Sequence, residues 1–249
     1  MRSDLVRCSS ILVFIPTYNE CKNVERLFKG ILDLGLELDV LFMDDNSPDG
    51  TGAILDGLAK ENPSLKVIHR SGKLGIGSAH QEGIRWAYAQ GYQRLVTMDS
   101  DFTHPPEYIA TLLNNAGEFD VVVGSRYMLP DSLKEWNWYR KFLTRLGHFL
   151  TYFFLRLKYD ATGALRLYRL DRIPSQAFDL VSSNGYAFLY ESLFILNFNK
   201  FRIKEIPIKL FARSYGHSKM RLRDIWQSFQ LLVVIFGHTI FDRKRFKIK

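Results

Sequence analysis

The 249-residue chain can bury a sizeable core without staples, and its two cysteines, Cys8 and Cys21, match neither a zinc nor a redox spacing. Ordinary thiols of this kind imply a reducing, cytoplasmic setting. The net charge of +8 is unevenly spread: residues 1–125 carry 11 Lys+Arg against 17 Asp+Glu, a balance of −6, and residues 126–249 carry 23 against 9, a balance of +14.

The basic half should meet something anionic: phosphates, a membrane surface or nucleic acid. The N-terminus lacks the basic-then-apolar layout of a signal peptide, and no run of about 20 residues is apolar enough to span a bilayer. Short apolar runs alternate with helical patterns through the first half, the pattern of βαβ units on a mostly parallel sheet. A first strand over 11–15 stops at Pro16, and Asn19 is placed to cap a helix carrying Val24, Leu27, Phe28, Ile31 and Leu32 on one face. A second strand over 40–43 ends in the turn Asp44-Asp45-Asn46-Ser47-Pro48-Asp49-Gly50, followed by a helix over 51–60. Further strands are predicted over 65–69, 95–98 and 121–124, separated by helices over 78–90 and 106–115.

In such a sheet the ligand crevice lies beyond the carboxyl ends of the strands. Those ends hold Pro16, Tyr18 and Glu20, then Asp44 and Asp45, then Asp99 and Asp101. Asp99-Ser100-Asp101 presents two carboxylates one residue apart; a turn lets both approach one hard divalent ion, whereas the plainer alternative is an acidic turn capping the next helix. His104 reads as a capping or packing residue. Asp45 is favoured as a ligand for ribose or base and Asp44 as a turn-former. Gly72, Gly75 and Gly77 are in the wrong order and place for a dinucleotide fingerprint, so they read as flexible packing beside a nucleotide. No repeat or linker interrupts the chain.

Several stretches together resemble family-2 glycosyltransferases of the GT-A fold, and more narrowly the dolichol-phosphate (polyprenyl-phosphate) mannose synthases. They are Pro16-Thr17-Tyr18-Asn19-Glu20, Asp44 to Thr51, Met98-Asp99-Ser100-Asp101 with His104-Pro105, and Gly124-Ser125-Arg126-Tyr127. Trp136, Arg140 and Arg213 with Gly216, Ser218 and Lys219 complete the set. The resemblance implies an inverting, metal-dependent mannosyltransferase that uses Mg2+ or Mn2+ to move mannose from GDP-mannose to a polyprenyl phosphate. It assigns Pro16, Tyr18, Glu20, Met43, Asp45, Met98, Asp99, Ser100, Arg213 and Lys219 to the nucleotide-sugar. Asp99, Asp101 and Thr103 fall at the metal, Thr103 standing where the family usually has glutamine. Arg126, Arg140 and Thr144 fall at the lipid phosphate, with Asp101 and Arg126 catalytic. The segment 160–166 departs from the mannose-synthase pattern, which leaves another donor such as UDP-glucose open. A non-catalytic basic module is the alternative of a different class.

The implied organisation is a GT-A domain over 1–220, with a nucleotide-sugar half to about 125 and an acceptor half beyond it. A C-terminal amphipathic helix and basic tail would occupy 221–249. An acceptor with a prenyl tail places the enzyme peripherally on the cytoplasmic face of a membrane, alone or with a small anchor subunit, and without nucleic acid. Phe142, Leu146, Phe149, Leu150, Phe153 and Phe154 recur at helical spacing among Arg140, Lys141, Arg145, Arg156 and Lys158, as in an interfacial helix, with core packing as the rival. The apolar segment 225–241 and the closing basic residues 243–249 extend that expectation, the tail either meeting anionic lipid or remaining solvated.

Overall fold

A computed structural model describes residues 9–211 and 220–248. Seven strands form one sheet: β1 Ile11–Thr17, β2 Asp39–Asp44, β3 Leu65–His69, β4 Arg94–Thr97, β5 Val121–Ser125, β6 Arg166–Arg169 and β7 Ile203–Pro207. Their order across the sheet is β3-β2-β1-β4-β6-β5-β7, and all neighbours are parallel except that β6 runs against both β4 and β5. The α/β, mostly parallel sheet expected from the sequence is present, and each of its five predicted strands is found within a residue or two of its expected ends.

Helices α1 Val24–Leu32, α2 Thr51–Glu61, α3 Ile76–Ala89 and α4 Tyr108–Asn114 supply the crossovers, and α5 Trp138–Leu155, α6 Gln176–Asp179, α7 Phe188–Phe198 and α8 Leu222–Phe241 follow. Helices on both faces of a parallel sheet bury both sides of its strands, which is why these strands read as continuous apolar runs. Alternate residues of β1 feed two cores. Leu12 and Phe14 join Leu41, Met43, Ile84 and Phe188, while Val13 and Ile15 join Leu27, Phe28, Val40 and Phe42.

Some expectations need correction. Asn19 does not cap α1: it takes a left-handed φ of 55° and its N–H donates to Ser47 Oγ at 2.8 Å, joining the first two strand ends. The last turn-forming residues are docked, not loose. Phe246 is buried among Phe194, Phe198 and His238, and Asn199 clasps both the Phe246 carbonyl and the Ile248 N–H. No helix among the described residues is long and apolar enough to cross a membrane.

Within the first core, His80 is fully buried, stacked on Phe188 at 5.0 Å and edge-on to Phe14 at 5.4 Å. Neither ring nitrogen has a hydrogen-bond partner among the described residues, and burial lowers its pKa to about 3. A neutral buried histidine lets the unfolded chain bind a proton that the folded one refuses, so stability falls as pH drops below the unfolded value of about 6.5. By about pH 4.5 the loss from this residue should reach roughly 2–3 kcal/mol. Urea unfolding across that range should show the slope, and His80→Phe should flatten it.

Candidate functional site

The carboxyl ends of β1, β2 and β4 open onto a cavity of about 590 Å³, within the range of small-molecule sites. Its acidic wall is built by Glu20, Asp45, Asp99 and Asp101, with Pro16, Tyr18 and Ser100 between them. The rest of the lining comes from Lys73 in the loop after β3, Asn184, Gly185 and Tyr186 in the loop before α7, and Arg221, Arg223, Asp224 and Gln227 at the start of α8. Acids and bases thus line one space.

Local structure explains how each acid is held. After β4 the chain turns at Phe102, whose φ of 60° is costly for a bulky residue and bends the backbone so that Asp99 and Asp101 both line the cavity. Asp101 Oδ1 accepts from the Thr103 N–H at 3.0 Å and the Thr103 hydroxyl at 2.7 Å. At the end of β2, Asp44 fixes the turn by accepting from the Ser47 N–H and hydroxyl. Asp45 points into the cavity, and its Oδ1 takes Arg70 Nη1 at 2.7 Å. Burial pushes the Asp45 carboxyl up, and the Arg70 charge offsets part of the rise.

Arg70 is itself buried, donates to the Ser78 hydroxyl and forms an ion pair with Glu82, tying β3 to α3. It sits one residue past the end of β3, the same edge position that singled out the acids, so its location was readable even though its partners were not. The glycine loop is interlocked, in contrast to the flexibility expected of it. A Cβ on Gly75 would lie 2.5 Å from the Asn184 carbonyl oxygen, and one on Gly77 would lie 2.5 Å from that of Gly185. Ser78 N–H and Gln81 Nε2 bond the carbonyls of Asn184 and Ser183, and Glu191 holds the N–H groups of Ser182 and Ser183 from beneath.

Not every expected site residue reaches the cavity. Met43 and Met98 are fully buried, in different cores, so their side chains cannot touch a nucleotide; strand alternation turns them inward. Thr103 is buried with its hydroxyl committed to Asp101, which makes it a positioner of that carboxylate instead of a cavity-lining ligand. Arg213 and Lys219 lie outside the described residues.

The expected acceptor residues gather at the end of β5 and along α5. Arg126 makes a two-pronged pair with Asp160, Nε to Oδ2 at 2.7 Å and Nη2 to Oδ1 at 3.0 Å, and Nη2 also reaches Thr162 Oγ1 at 3.0 Å. Burial opposes the charge on Asp160, yet Arg126 outweighs it and holds the carboxyl below its usual range. Breaking such a buried pair by removing one partner costs about 3–5 kcal/mol. Next to it, Tyr127 donates to the Thr144 carbonyl at 3.0 Å and stacks on His148 at 4.0 Å, joining β5 to α5. Arg140, one turn earlier, lies 3.6 Å over the Trp136 ring. Asp160 lies 34 residues from Arg126 and carries no local signal of that pairing.

The model of glycosyl transferase family 2 matches residues 12–173. An undecaprenyl-phosphate mannosyltransferase of Micrococcus luteus is 38% identical over 211 residues, covering 84% of this chain and 87% of that protein. A polyprenol monophosphomannose synthase of Mycolicibacterium smegmatis is 36% identical over 213 residues, covering 84% and 80% respectively. Among solved structures, mannosyl-3-phosphoglycerate synthase from Rubrobacter xylanophilus shares the fold with a TM-score of 0.64 at 16% identity, covering 97% of this chain and 76% of that one. A mannosyltransferase from Pyrobaculum calidifontis, in complex with GDP-Man and Mn2+, has a TM-score of 0.54 at 17% identity, covering 92% of this chain and 65% of that one.

The interlock of α3 with the 182–186 loop gives a direct test. Gly77→Ala should force the two apart and destabilise the protein by about 1–3 kcal/mol in urea unfolding. Gly72→Ala, with nothing within 4 Å of the added carbon, should change stability little.

Proposed function

The chain belongs to glycosyl transferase family 2, and from that premise we propose that it moves mannose from GDP-mannose to the phosphate of a polyprenyl (dolichyl) phosphate. The observation that carries this reading is the cavity at the strand ends, which Asp45, Asp99 and Asp101 line together with Lys73, Arg221 and Arg223. A nucleoside diphosphate-sugar needs both kinds of group: donors and acceptors for the nucleoside, and positive charge for the diphosphate.

Asp45, half of whose carboxylate is held by Arg70, is left with acceptor capacity for ribose hydroxyls or base N–H groups. Tyr18 carries Lys73 over its ring at 4.5 Å, which leaves that ammonium in the same cavity as Asp45 and supplies positive charge for a phosphate. The donor set suits a hard divalent ion, Mg2+ or Mn2+. Asp99 and Asp101 offer carboxylate oxygens to one cavity, and a hard divalent ion there would complete its shell with water and phosphate oxygens. Bound there, such an ion would neutralise the departing diphosphate.

A lipid phosphate is an anionic nucleophile at neutral pH, so the protein need only align it behind C1 and balance its charge. Arg126 and Arg140 are suited to that, since a guanidinium fork binds phosphate oxygens in pairs. His104 is buried with its Nδ1 3.4 Å from the Thr103 hydroxyl, and burial lowers its pKa, as expected of the packing role read from the sequence. Single displacement inverts the anomeric centre, giving a β-linked product from an α-linked donor.

The acceptor requires a membrane surface. On α5, Trp138, Phe142, Phe149 and Phe153 are exposed; on α8, Trp226, Val234, Ile240 and Phe241 are exposed; and the two helices meet through Phe154 and Phe236. With Arg145, Arg156, Lys158, Arg243, Lys244 and Arg245 exposed as well, this side combines apolar and basic character. Exposed aromatic groups on paired helices support peripheral docking at the headgroups.

Parallel assays with GDP-mannose and UDP-glucose, polyprenyl phosphate and Mg2+ or Mn2+ should give transfer from GDP-mannose only. Asp101→Ala should reduce kcat/KM by about a hundredfold or more. Transfer from UDP-glucose alone would reassign the donor, and undiminished turnover in Asp101→Ala would remove the metal from the scheme. In flotation with anionic vesicles, the double variant Phe149→Ser/Phe153→Ser should bind at least about tenfold more weakly, as expected for two lost apolar insertions.

A further inference from the structure

The parallel pairing of β1 with β2 ends at Thr17 and Asp44, where the Asp45 N–H reaches the Thr17 carbonyl at 3.0 Å. Both chains then leave the sheet, and the first runs through Tyr18 and Glu20, which line the cavity. Backbone N–H groups that leave a sheet still need acceptors. Here three consecutive ones find them on side chains of the turn after β2. The Asn19 N–H donates to Ser47 Oγ at 2.8 Å, the Glu20 N–H to Thr51 Oγ1 at 2.9 Å, and the Cys21 N–H to Asp49 Oδ2 at 3.1 Å.

Each of the two hydroxyls is aimed by a carboxylate of its own turn. The Ser47 N–H and hydroxyl both donate to Asp44, and the Thr51 N–H and hydroxyl both donate to Asp49 Oδ1. With its proton committed to a carboxylate, a hydroxyl meets the neighbouring loop as an acceptor, which is what an N–H requires. Burial opposes the charge on Asp49, yet the bonds from Thr51 and Cys21 outweigh it and hold the carboxyl below its usual range. Thr51 and Glu20 are both buried, so a Glu20 N–H deprived of its hydroxyl would be left desolvated and unpaired. Neither Ser47 nor Thr51 lines the cavity; they bear on it through the 19–21 backbone.

We propose that Ser47 and Thr51, aimed by Asp44 and Asp49, are positioning residues for the donor's nucleotide: they fasten the 19–21 backbone so that Tyr18 and Glu20 stand preformed in the cavity wall. This rests on the reading of the cavity as a nucleotide-sugar site given above. Neither hydroxyl touches the nucleotide in this scheme. A loop released from its holders is competent for binding only part of the time, and the apparent dissociation constant rises by the reciprocal of that fraction. The groups displaced serve the nucleotide and not the reacting carbon, so the loss falls on ground state and transition state alike.

The test is calorimetric titration of the full-length chain with GDP and, in parallel, UDP in the presence of Mg2+, with circular dichroism and thermal melting to check folding. The nucleotide that wild type binds more tightly is the probe for the variants. Thr51→Val keeps the branched shape without the hydroxyl and should weaken binding by about fivefold or more, in the range of one lost hydrogen bond. Thr51→Ser keeps the hydroxyl and should stay within about twofold of wild type. In Thr51→Val, KM for the matching nucleotide-sugar should rise with Kd while kcat stays within about twofold. Ser47→Ala should act the same way, with Ser47→Thr as its rescue, and this pair carries the test if Thr51→Val does not fold. Wild-type affinity in folded Thr51→Val, or in Ser47→Ala where Thr51→Val does not fold, would overturn the proposal while leaving the nucleotide site standing. So would a rescue variant as weak as the one it is meant to rescue, or a loss confined to kcat. Folded wild type that binds neither nucleotide would instead overturn the reading of the cavity, and the proposal with it.

Discussion

A buried arginine in the antiparallel strand β6 ties the segment leading into that strand to helix α7. Arg166 is fully buried in β6, and an unpaired charge in that setting would cost several kcal/mol. Its two terminal nitrogens instead meet oxygens: the Leu189 carbonyl at 2.7 Å, the Ala161 carbonyl at 2.8 Å, and the hydroxyls of Tyr168 and Ser192 at 3.3 Å. Those partners belong to the segment before β6, to β6 itself and to α7. One side chain therefore fixes the segment that carries Asp160 and the helix whose Glu191 shapes the cavity's far wall. β6 lies between β4 and β5 and runs against both, and so brings the acceptor half against the nucleotide half.

The site is organised around a repeated device, an arginine paired with an acid at a strand end. Arg70 pairs with Asp45 past β3 and β2, and Arg126 pairs with Asp160 past β5 and before β6. The outcomes differ. In the first pair the acid faces the cavity and the arginine is the support; in the second the arginine belongs to the acceptor group and the acid is the support. Buried pairs of this kind contribute little net stability, since desolvation consumes most of the attraction. What they provide is orientation, because each member is held from two directions.

The first half of the fold was legible because its strands are buried on both faces and end abruptly in polar residues. Ile11 to Ile15 and Val121 to Gly124 could hardly be anything else. Strands β6 and β7 escaped the same reading. Arg166-Leu-Tyr-Arg and Ile203-Lys-Glu-Ile-Pro alternate polar and apolar residues over too few positions to stand out, and the burial of Arg166 depends on carbonyls from distant segments. Within the site, strand-end position brought Asp45, Asp99 and Asp101 to one cavity, whereas the resemblance put Met43 and Met98 at the nucleotide although both side chains are buried. A motif records sequence neighbourhood, whereas the pleat sends those two side chains into the cores. Asn19 illustrates a different limit: a helix cap and a strand-end brace call for the same residue type, and only the partner distinguishes them.

Helix α8 joins the cavity to the outer surface as a single rod. Its first turn contributes Arg221, Arg223, Asp224 and Gln227 to the cavity wall, Tyr190 grips it through the Ser228 carbonyl at 2.6 Å, and the Phe246 plug fastens its far end to α7. Over its 20 residues, about 30 Å, it has no hinge glycine in its first half and is gripped at Ser228 and beyond its last turn. A helix clamped in this manner cannot trail in a bilayer like a tether. On the proposal that its exposed aromatic side chains meet a bilayer, the mouth of the cavity is carried to a height set by theirs, and lipid phosphates would be met in one plane of the headgroup layer, whatever the length of hydrocarbon beneath them.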